Sequence, residues 1–278
     1  MQIYRGMDIG TAKPTVEEQR GIPHHLLDVC QPDEPFSVVR YTELADAAAQ
    51  DILSRGMIPI VAGGTGLYMD ALIDGHPFPS GENSSPIREK YQHMAEQQGV
   101  QAVHDCLARV DPIGAARLHP NNLKRVIRAL EVFEQTGQPI DTFHALHQSP
   151  VPKYHVIKIG LYTSDRQILY DRINQRVEKM AAGGLLEEVK RLRLTGTAAQ
   201  AIGYKEFSAY LRGEAALSDC IALIQQRSRQ YAKRQLTWLR RDASIHWVVY
   251  DRQAQLPAVL QDVTNYLQKH GVQCYHHF

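Results

Sequence analysis

No G-x-x-x-x-G-K-[ST] run occurs anywhere in these 278 residues, so the stretch carries no phosphate-cradling P-loop. A G-x-S-x-G nucleophile turn is also absent. No His/Cys group has zinc spacing. His24-His25 and His276-His277 are adjacent pairs without a third ligand nearby, so no protein-held metal is expected. The four cysteines (Cys30, Cys106, Cys220, Cys274) are far apart and form no C-x-x-C pair, which reads as scattered reduced thiols. No apolar run approaches the ~18 residues that span a bilayer. Met1–Arg5 is polar, with no signal-like h-region after it, so the expectation is no membrane and a cytoplasmic location. Net charge is only +1, which excludes a global field drawing in polyanions. There is no internal repeat and no low-complexity tract.

What is there is a globular composition, 44% hydrophobic and 22% charged, long enough for one large or two ordinary domains. Val38–Leu53 reads as a helix from Tyr41, Leu44, Ala45, Ala48 and Ile52. Met57–Ala62 (MIPIVA) has the continuous apolar character of a buried parallel strand. Gly63-Gly64-Thr65-Gly66 follows, and Leu67–Leu72 resumes a helical pattern. In such α/β units ligands sit beyond the carboxyl ends of strands. Loop chemistry fills Gly75–Ser85, and Pro86–Gly137 is helical, ending in Leu123–Thr136 with Asn121 or Asn122 as cap and Gly137 as stop. Tyr154–Leu161 and His246–Tyr250 read as further strands. Arg166–Ala182 (capped by Ser164 or Asp165), Leu185–Leu194, Leu217–Leu239 (capped by Ser218) and Leu256–Lys269 read as helices. The expected organisation is an α/β core, residues 1–77 and 152–278, with a helical insertion at 78–151.

Five constellations bear on chemistry. The GGTG turn allows close backbone approach and offers the Thr65 hydroxyl, or it is simply a turn with Thr65 as helix cap. Arg172 and Arg176, four apart on one helix face, suit a polyanion such as pyrophosphate or answer Asp171 and Glu178. Lys124, Arg125 and Arg128 oppose the dipole at a helix start, which an anionic partner would relieve. From Arg227 to Arg241 there are six cations and no acid, with Tyr231 and Trp238 interleaved, a pattern suited to nucleic-acid backbone and bases. Gln200–Glu206 (QAIGYKE) is a loop whose Tyr204 and Lys205 could touch a base and a phosphate. The opening residues Met1–Pro14 add a dense polar set, with Gly6 and Gly10 permitting positive φ or close approach.

Seven segments in order resemble tRNA dimethylallyltransferases, the tRNA isopentenyltransferase (IPP transferase) family. They are IYRGMDIGTAKP (Ile3–Pro14), PHHLLDV (Pro23–Val29), VAGGTGLY (Val61–Tyr68), LHPNNLKRVIRALEV (Leu118–Val132), LYDRINQRVEKM (Leu169–Met180), AIGYKE (Ala201–Glu206) and AKRQLTWLRR (Ala232–Arg241). The resemblance implies an α/β fold, a P-loop-kinase-like parallel sheet core with an inserted helical domain. It implies transfer of a dimethylallyl group from dimethylallyl diphosphate to N6 of an adenosine beside the anticodon of tRNAs reading codons that begin with U. Mg²⁺ and basic side chains would stabilise the departing diphosphate, and the adenine would leave its stack. The implied partners are the tRNA anticodon stem-loop and dimethylallyl diphosphate, with the enzyme a monomer.

By position, Thr65 corresponds to a contact with the target adenosine. Arg176, with Arg172, is the candidate for the diphosphate, and Thr11 and Lys13 line the same site. The tRNA-binding assignments are Met1 and Gln2, Arg88, and the runs Lys124-Arg125-Val126-Ile127-Arg128 and Gln200-Ala201-Ile202-Gly203-Tyr204-Lys205. The last run is Lys233-Arg234-Gln235-Leu236-Thr237-Trp238-Leu239-Arg240. In the family a P-loop and an Asp-Ser pair carrying the general base precede the residue matching Met1. The resemblance therefore implies a chain lacking those parts, with unpaired strand edges and little transferase activity alone. Two other readings remain: an enzyme prenylating free adenylate, and a non-catalytic tRNA-binding protein.

Overall fold

The computed structural model describes residues 1–75, 86–147 and 153–273. The Gly75–Ser85 loop beyond Gly75, both expected boundaries of the insertion, Cys274 and His276-His277 lie outside the described residues. The chain divides into two compact units. One comprises Met1–Phe36, Glu43–Leu67 and His155–Phe278, the other Ser37–Thr42 and Tyr68–Tyr154.

The second unit is built from helices. α1 (Val38–Ser54) begins there and continues into the first unit, and α2 (Gly66–Asp74) crosses in the other direction. α3 (Pro86–Gln98), α4 (Val100–Val110), α5 (Pro112–Arg117), α6 (Leu123–Thr136) and α7 (Ile140–His147) follow. Val103, Leu107, Val126 and Leu130 are at most 1% exposed and form the centre of its core with Tyr91 and Ile127. Asp111 starts α5 by accepting the Gly114 N–H at 2.8 Å, followed by Pro112, whose missing N–H costs nothing there. Gly137, at φ 72°, ends α6 in the left-handed conformation. Asn122 precedes α6 but makes no side-chain cap.

In the first unit β1 (Ile159–Tyr162) and β2 (His246–Val249) pair in parallel, Ile159 opposite His246 and Tyr162 opposite Val249. Tyr4 and Cys30 form an isolated parallel bridge. α8 (Arg166–Ala182) packs on α11 (Leu217–Leu239), with α9 (Leu185–Arg191) against α8 and the single turn α10 (Ser208–Leu211) against α11, while α12 (Leu256–Lys269) packs on β2. Asp165 caps α8 through the Gln167 N–H at 2.8 Å, while Ser164 bonds Asp251 instead. The residue before α11 is Ala216, whose N–H reaches Asp219, so Ser218 is not the cap.

Met57–Ala62 is not a strand. Met57, Ile58, Ile60 and Val61 are 45–88% exposed. A strand needs a hydrogen-bonding neighbour, and the only extended sheet among the described residues is the β1–β2 pair. Among those residues no helix is long and apolar enough to cross a membrane.

Candidate functional site

The Gly63–Gly66 turn leads into α2, and Thr65 is exposed at the residue before that helix, where a hydroxyl can serve helix N–H groups. Its surroundings come from α11. Gln235 Nε2 donates to the Gly64 carbonyl at 2.9 Å. The Trp238 indole lies against Gly66 so closely that a Cβ there would sit 2.1 Å from the ring. Glycine at 66 is thus demanded by a side chain of the same molecule. Gly63 and Gly64 line a cavity of about 290 Å³ together with Tyr162, Arg172, Gln235 and Tyr250. This is the carboxyl end of β1 and β2, where open α/β folds place ligands.

Arg172 is in that wall, but two of its donors are used within the fold. Nη1 donates to the Tyr250 carbonyl at 2.8 Å and Nη2 to Asp251 at 2.6 Å, with the guanidinium 5.1 Å from the Tyr250 ring centre. Arg176 is exposed on the next turn of α8. Of the two arginines, Arg176 is therefore the one placed to meet an external anion, and Arg172 ties α8 to the end of β2.

On α11 the cations Lys233 and Arg234 are exposed, as are Thr237, Trp238 and, just past the helix end, Arg240, while Gln235, Leu236 and Leu239 are half-buried. The Thr237 hydroxyl donates to the Lys233 carbonyl at 2.9 Å. Arg234 stands 5.6 Å from the Tyr231 ring and Arg241 5.6 Å from Trp238, cation–π distances. The basic stripe and the GGTG turn, about 170 residues apart in sequence, thus share one location through Gln235 and Trp238.

The opening segment folds back on itself. Gln2 Nε2 donates to the carbonyls of Thr11 and Ala12, and Met1 is exposed. The Thr11 hydroxyl donates to the Met7 carbonyl at 2.6 Å. The Lys13 ammonium, 6% exposed, donates to Asp8 at 2.7 Å, Asp28 at 2.5 Å and the Tyr4 carbonyl at 2.9 Å. Those contacts take all three donors of an ammonium, so an incoming phosphate would have to exchange with a carboxylate. Behind this loop lies Glu188, buried in α9 and not anticipated from sequence. Its carboxylate accepts N–H bonds from Asp8, Ile9 and Gly10 and the Tyr204 hydroxyl. Leu185, Glu188 and Val189 are all buried on one face of α9. That i, i+3, i+4 spacing was the available signal that Glu188 points inward.

The Gln200–Lys205 segment divides accordingly. Gln200 and Lys205 are exposed and Ile202 is half-buried, whereas Ala201, Gly203 and Tyr204 are buried. Tyr204, expected as a possible contact to a base, is 2% exposed and presents no surface for one, which corrects that expectation. Burial, then the Glu188 hydrogen bond, push its phenol pKa upward, so it stays a donor.

In the helical unit Lys124 and Arg125 are exposed. Val126 and Ile127, expected within the RNA-contacting run, are 0% and 6% exposed and belong to the core. Arg88 and Arg128 converge on Glu131, a carboxylate with no exposure, at 2.8 and 2.6 Å. Both arginines keep about 30% of their side-chain surface accessible, so Glu131 holds them at a fixed spacing. Nearby, burial and then Glu134 raise the Tyr91 phenol to about 12.

Among the described residues no three His, Cys, Asp or Glu side chains are grouped to hold a metal ion. Asp8 and Asp28 face the Lys13 ammonium, which takes the place a cation would occupy. Paired in this way, those two carboxylates offer no place for Mg²⁺.

The IPP transferase family model matches residues 2–242. A tRNA dimethylallyltransferase of Desulforamulus reducens is 47% identical over 267 residues, covering 95% of this chain and 94% of that protein. A tRNA delta(2)-isopentenylpyrophosphate transferase of Staphylococcus epidermidis superposes with a TM-score of 0.67 at 36% identity, covering 97% of this chain and 88% of that one. A eukaryotic dimethylallyltransferase described as acting on tRNA superposes at 0.81 and 28% identity, covering 100% and 73%. These neighbours carry a P-loop-kinase-like fold. With the family model covering most of the chain and a relative 47% identical over 95% of it, the chain belongs to the IPP transferase family of transferases.

Proposed function

We propose that this chain binds the anticodon stem-loop of tRNA in the cytoplasm, one chain per stem-loop. There it transfers a dimethylallyl group from dimethylallyl diphosphate to N6 of the adenosine 3′-adjacent to the anticodon, in tRNAs reading codons that begin with U. The N6 lone pair forms a bond to the allylic C1 as the C1–O bond breaks. Its electron pair leaves on diphosphate, and the N6 proton passes to water or to the departing diphosphate, either of which can accept it. Mg²⁺, where bound, would travel with the diphosphate and help to neutralise the charge that develops on it.

The observation that carries this reading is the clasp of the GGTG turn by Gln235 and Trp238 of α11, the helix that also carries Lys233 and Arg234 and ends just before Arg240. It supports a site in which the Thr65 hydroxyl meets an extruded adenine while the α11 cations hold the RNA backbone. Arg176 is the proposed diphosphate contact. Names of relatives that specify tRNA, and a neighbour described as acting on tRNA, support the substrate class.

The test is fluorescence anisotropy with a labelled anticodon stem-loop across a salt titration, with diphosphate release and prenylated adenosine measured in parallel. Lys233→Ala and Arg240→Ala should each lower the slope of log affinity against log salt by about 1. Arg176→Ala should abolish diphosphate release while leaving stem-loop affinity within about twofold. Binding without diphosphate release would leave tRNA binding as the activity of this chain, and affinity insensitive to salt would overturn the RNA reading.

A further inference from the structure

Glu188 lies on α9, yet its carboxylate serves two other segments. Oε2 accepts the Asp8 N–H at 3.0 Å and the Ile9 N–H at 2.8 Å. Oε1 accepts the Gly10 N–H at 3.1 Å and the Tyr204 hydroxyl at 2.6 Å. The residue is 3% exposed. A carboxylate has about four acceptor positions, and here four donors meet them. Three successive backbone N–H groups turned toward one anion form the concavity that proteins use for external anions. In this chain the anion is internal.

A second link joins the same two segments. A Cβ on Gly10 would lie 2.5 Å from the Tyr204 ring, so the loop backbone rests against that ring. The Tyr204 side is itself fixed, because the Gly203 N–H donates to Glu206 at 2.8 Å. Downstream of the anchored backbone are Thr11 and Lys13; beside Tyr204 is the exposed Lys205.

We propose that Glu188 is a positioning residue that locks the Asp8–Lys13 loop, expected on the diphosphate side of the site, and the Gln200–Lys205 segment, expected on the tRNA side, into one piece, so that each holds the other in register. The RNA part of this inference rests on the function proposed above. Glu188 touches no substrate. Its effect is carried by the backbone of residues 8–10 and by Tyr204.

Two variants test it, Glu188→Gln and the milder Tyr204→Phe, which keeps the carboxylate and its three N–H donors. Hydrogen–deuterium exchange is read on peptides covering residues 4–13 and 198–207, and stem-loop affinity is read by anisotropy well below each variant's melting temperature. Tyr204→Phe should speed exchange in residues 4–13, although the substitution is far away in sequence, and weaken stem-loop binding about tenfold. The salt slope should not change, since no phosphate contact is removed. Glu188→Gln should do the same more strongly in both peptides. Unchanged exchange in residues 4–13 of Tyr204→Phe would overturn the coupling. Affinity equal to that of the unsubstituted chain, with only the melting temperature lowered, would reduce Glu188 to a fold contact and overturn its positioning role. If the unsubstituted chain fails to bind the stem-loop, the function proposal falls, and the exchange data still decide the coupling.

Discussion

The helical unit and the sheet-bearing unit treat their apolar residues differently. In the helical unit Val103, Leu107, Val126 and Leu130 are at most 1% exposed. In the other, Met57, Ile58, Ile60 and Val61 form as apolar a run, yet Ile60 is 88% exposed and Leu161 of β1 is 57% exposed. The contrast is one of backbone needs. A helix satisfies its own N–H and C=O groups and requires only side-chain packing, so α3, α4 and α6 close a core among themselves. A strand must find partners for its backbone. Among the described residues β1 pairs only with β2, and the 57–62 segment pairs with nothing in a sheet.

The largest test of this contrast falls in the closed core. Leu130→Ala should cost about 2–5 kcal/mol, the usual range for a buried leucine cut back to alanine. Urea unfolding measures it, and a loss under about 1 kcal/mol would mean that the helical core is looser than its exposures indicate.

Where the first unit is well packed, it should respond as the helical unit does. Gly10→Ala puts a methyl group 2.5–2.6 Å from the Tyr204 ring atoms. The backbone at Gly10 is not left-handed, so the penalty is steric overpacking, about 1–3 kcal/mol. Gly10→Ala combined with Tyr204→Leu should recover part of that loss. A recovery of zero would place the strain elsewhere.

A smaller effect comes from the rim of the β1–β2 pair. Lys158 donates to Asp242 at 2.6 Å. That bond, followed by Ser244, holds the Asp242 carboxyl at about 2, below its ordinary 3.8. A depressed carboxyl pKa stabilises the fold above its unfolded value and is lost as pH falls through its folded value. The contribution is therefore full above pH ~4 and gone near pH ~2. Both side chains are about 30% exposed, and after solvent screening about 1 kcal/mol remains. Asp242→Asn should flatten the stability–pH curve in that window, and an unchanged curve would show that the pair contributes nothing.

The same contrast explains what was legible in the sequence. Leu123–Thr136, Arg166–Ala182 and Leu217–Leu239 are helices over the ranges their periodicity predicts, because helical hydrogen bonds are local and side-chain spacing reports them. MIPIVA has strand composition, but composition says nothing of whether a neighbour is present. Thr65 and the α11 cations could be named as separate motifs. Their meeting through Gln235 and Trp238 could not, since sequence order carries no such distance. Tyr204 reads as a residue that could touch a base and is instead a buried hydrogen-bond donor to Glu188. The inward placement of Glu188 and Glu131 is hard to see in the sequence for one reason. A glutamate on a helix reads as solvated, and only its place among apolar neighbours at helical spacing marks it as internal.

The smallest expected effect is the sharpest test of the comparison. Ile60→Ser removes an isoleucine side chain that is 88% exposed. Little apolar surface returns to water, so the stability change should stay within about 0.5 kcal/mol, roughly a tenth to a quarter of the loss at Leu130. Solubility should move more than stability. An exposed run of β-branched and apolar residues with unpaired backbone is a template for edge-to-edge association, and one hydroxyl in its middle interrupts it. Light scattering on warming should therefore rise later in Ile60→Ser than in the unsubstituted chain, at equal unfolding free energy. If Ile60→Ser instead cost more than about 1 kcal/mol, the side chain would have to be covered in solution, and the open sheet side would not distinguish this unit from the helical one.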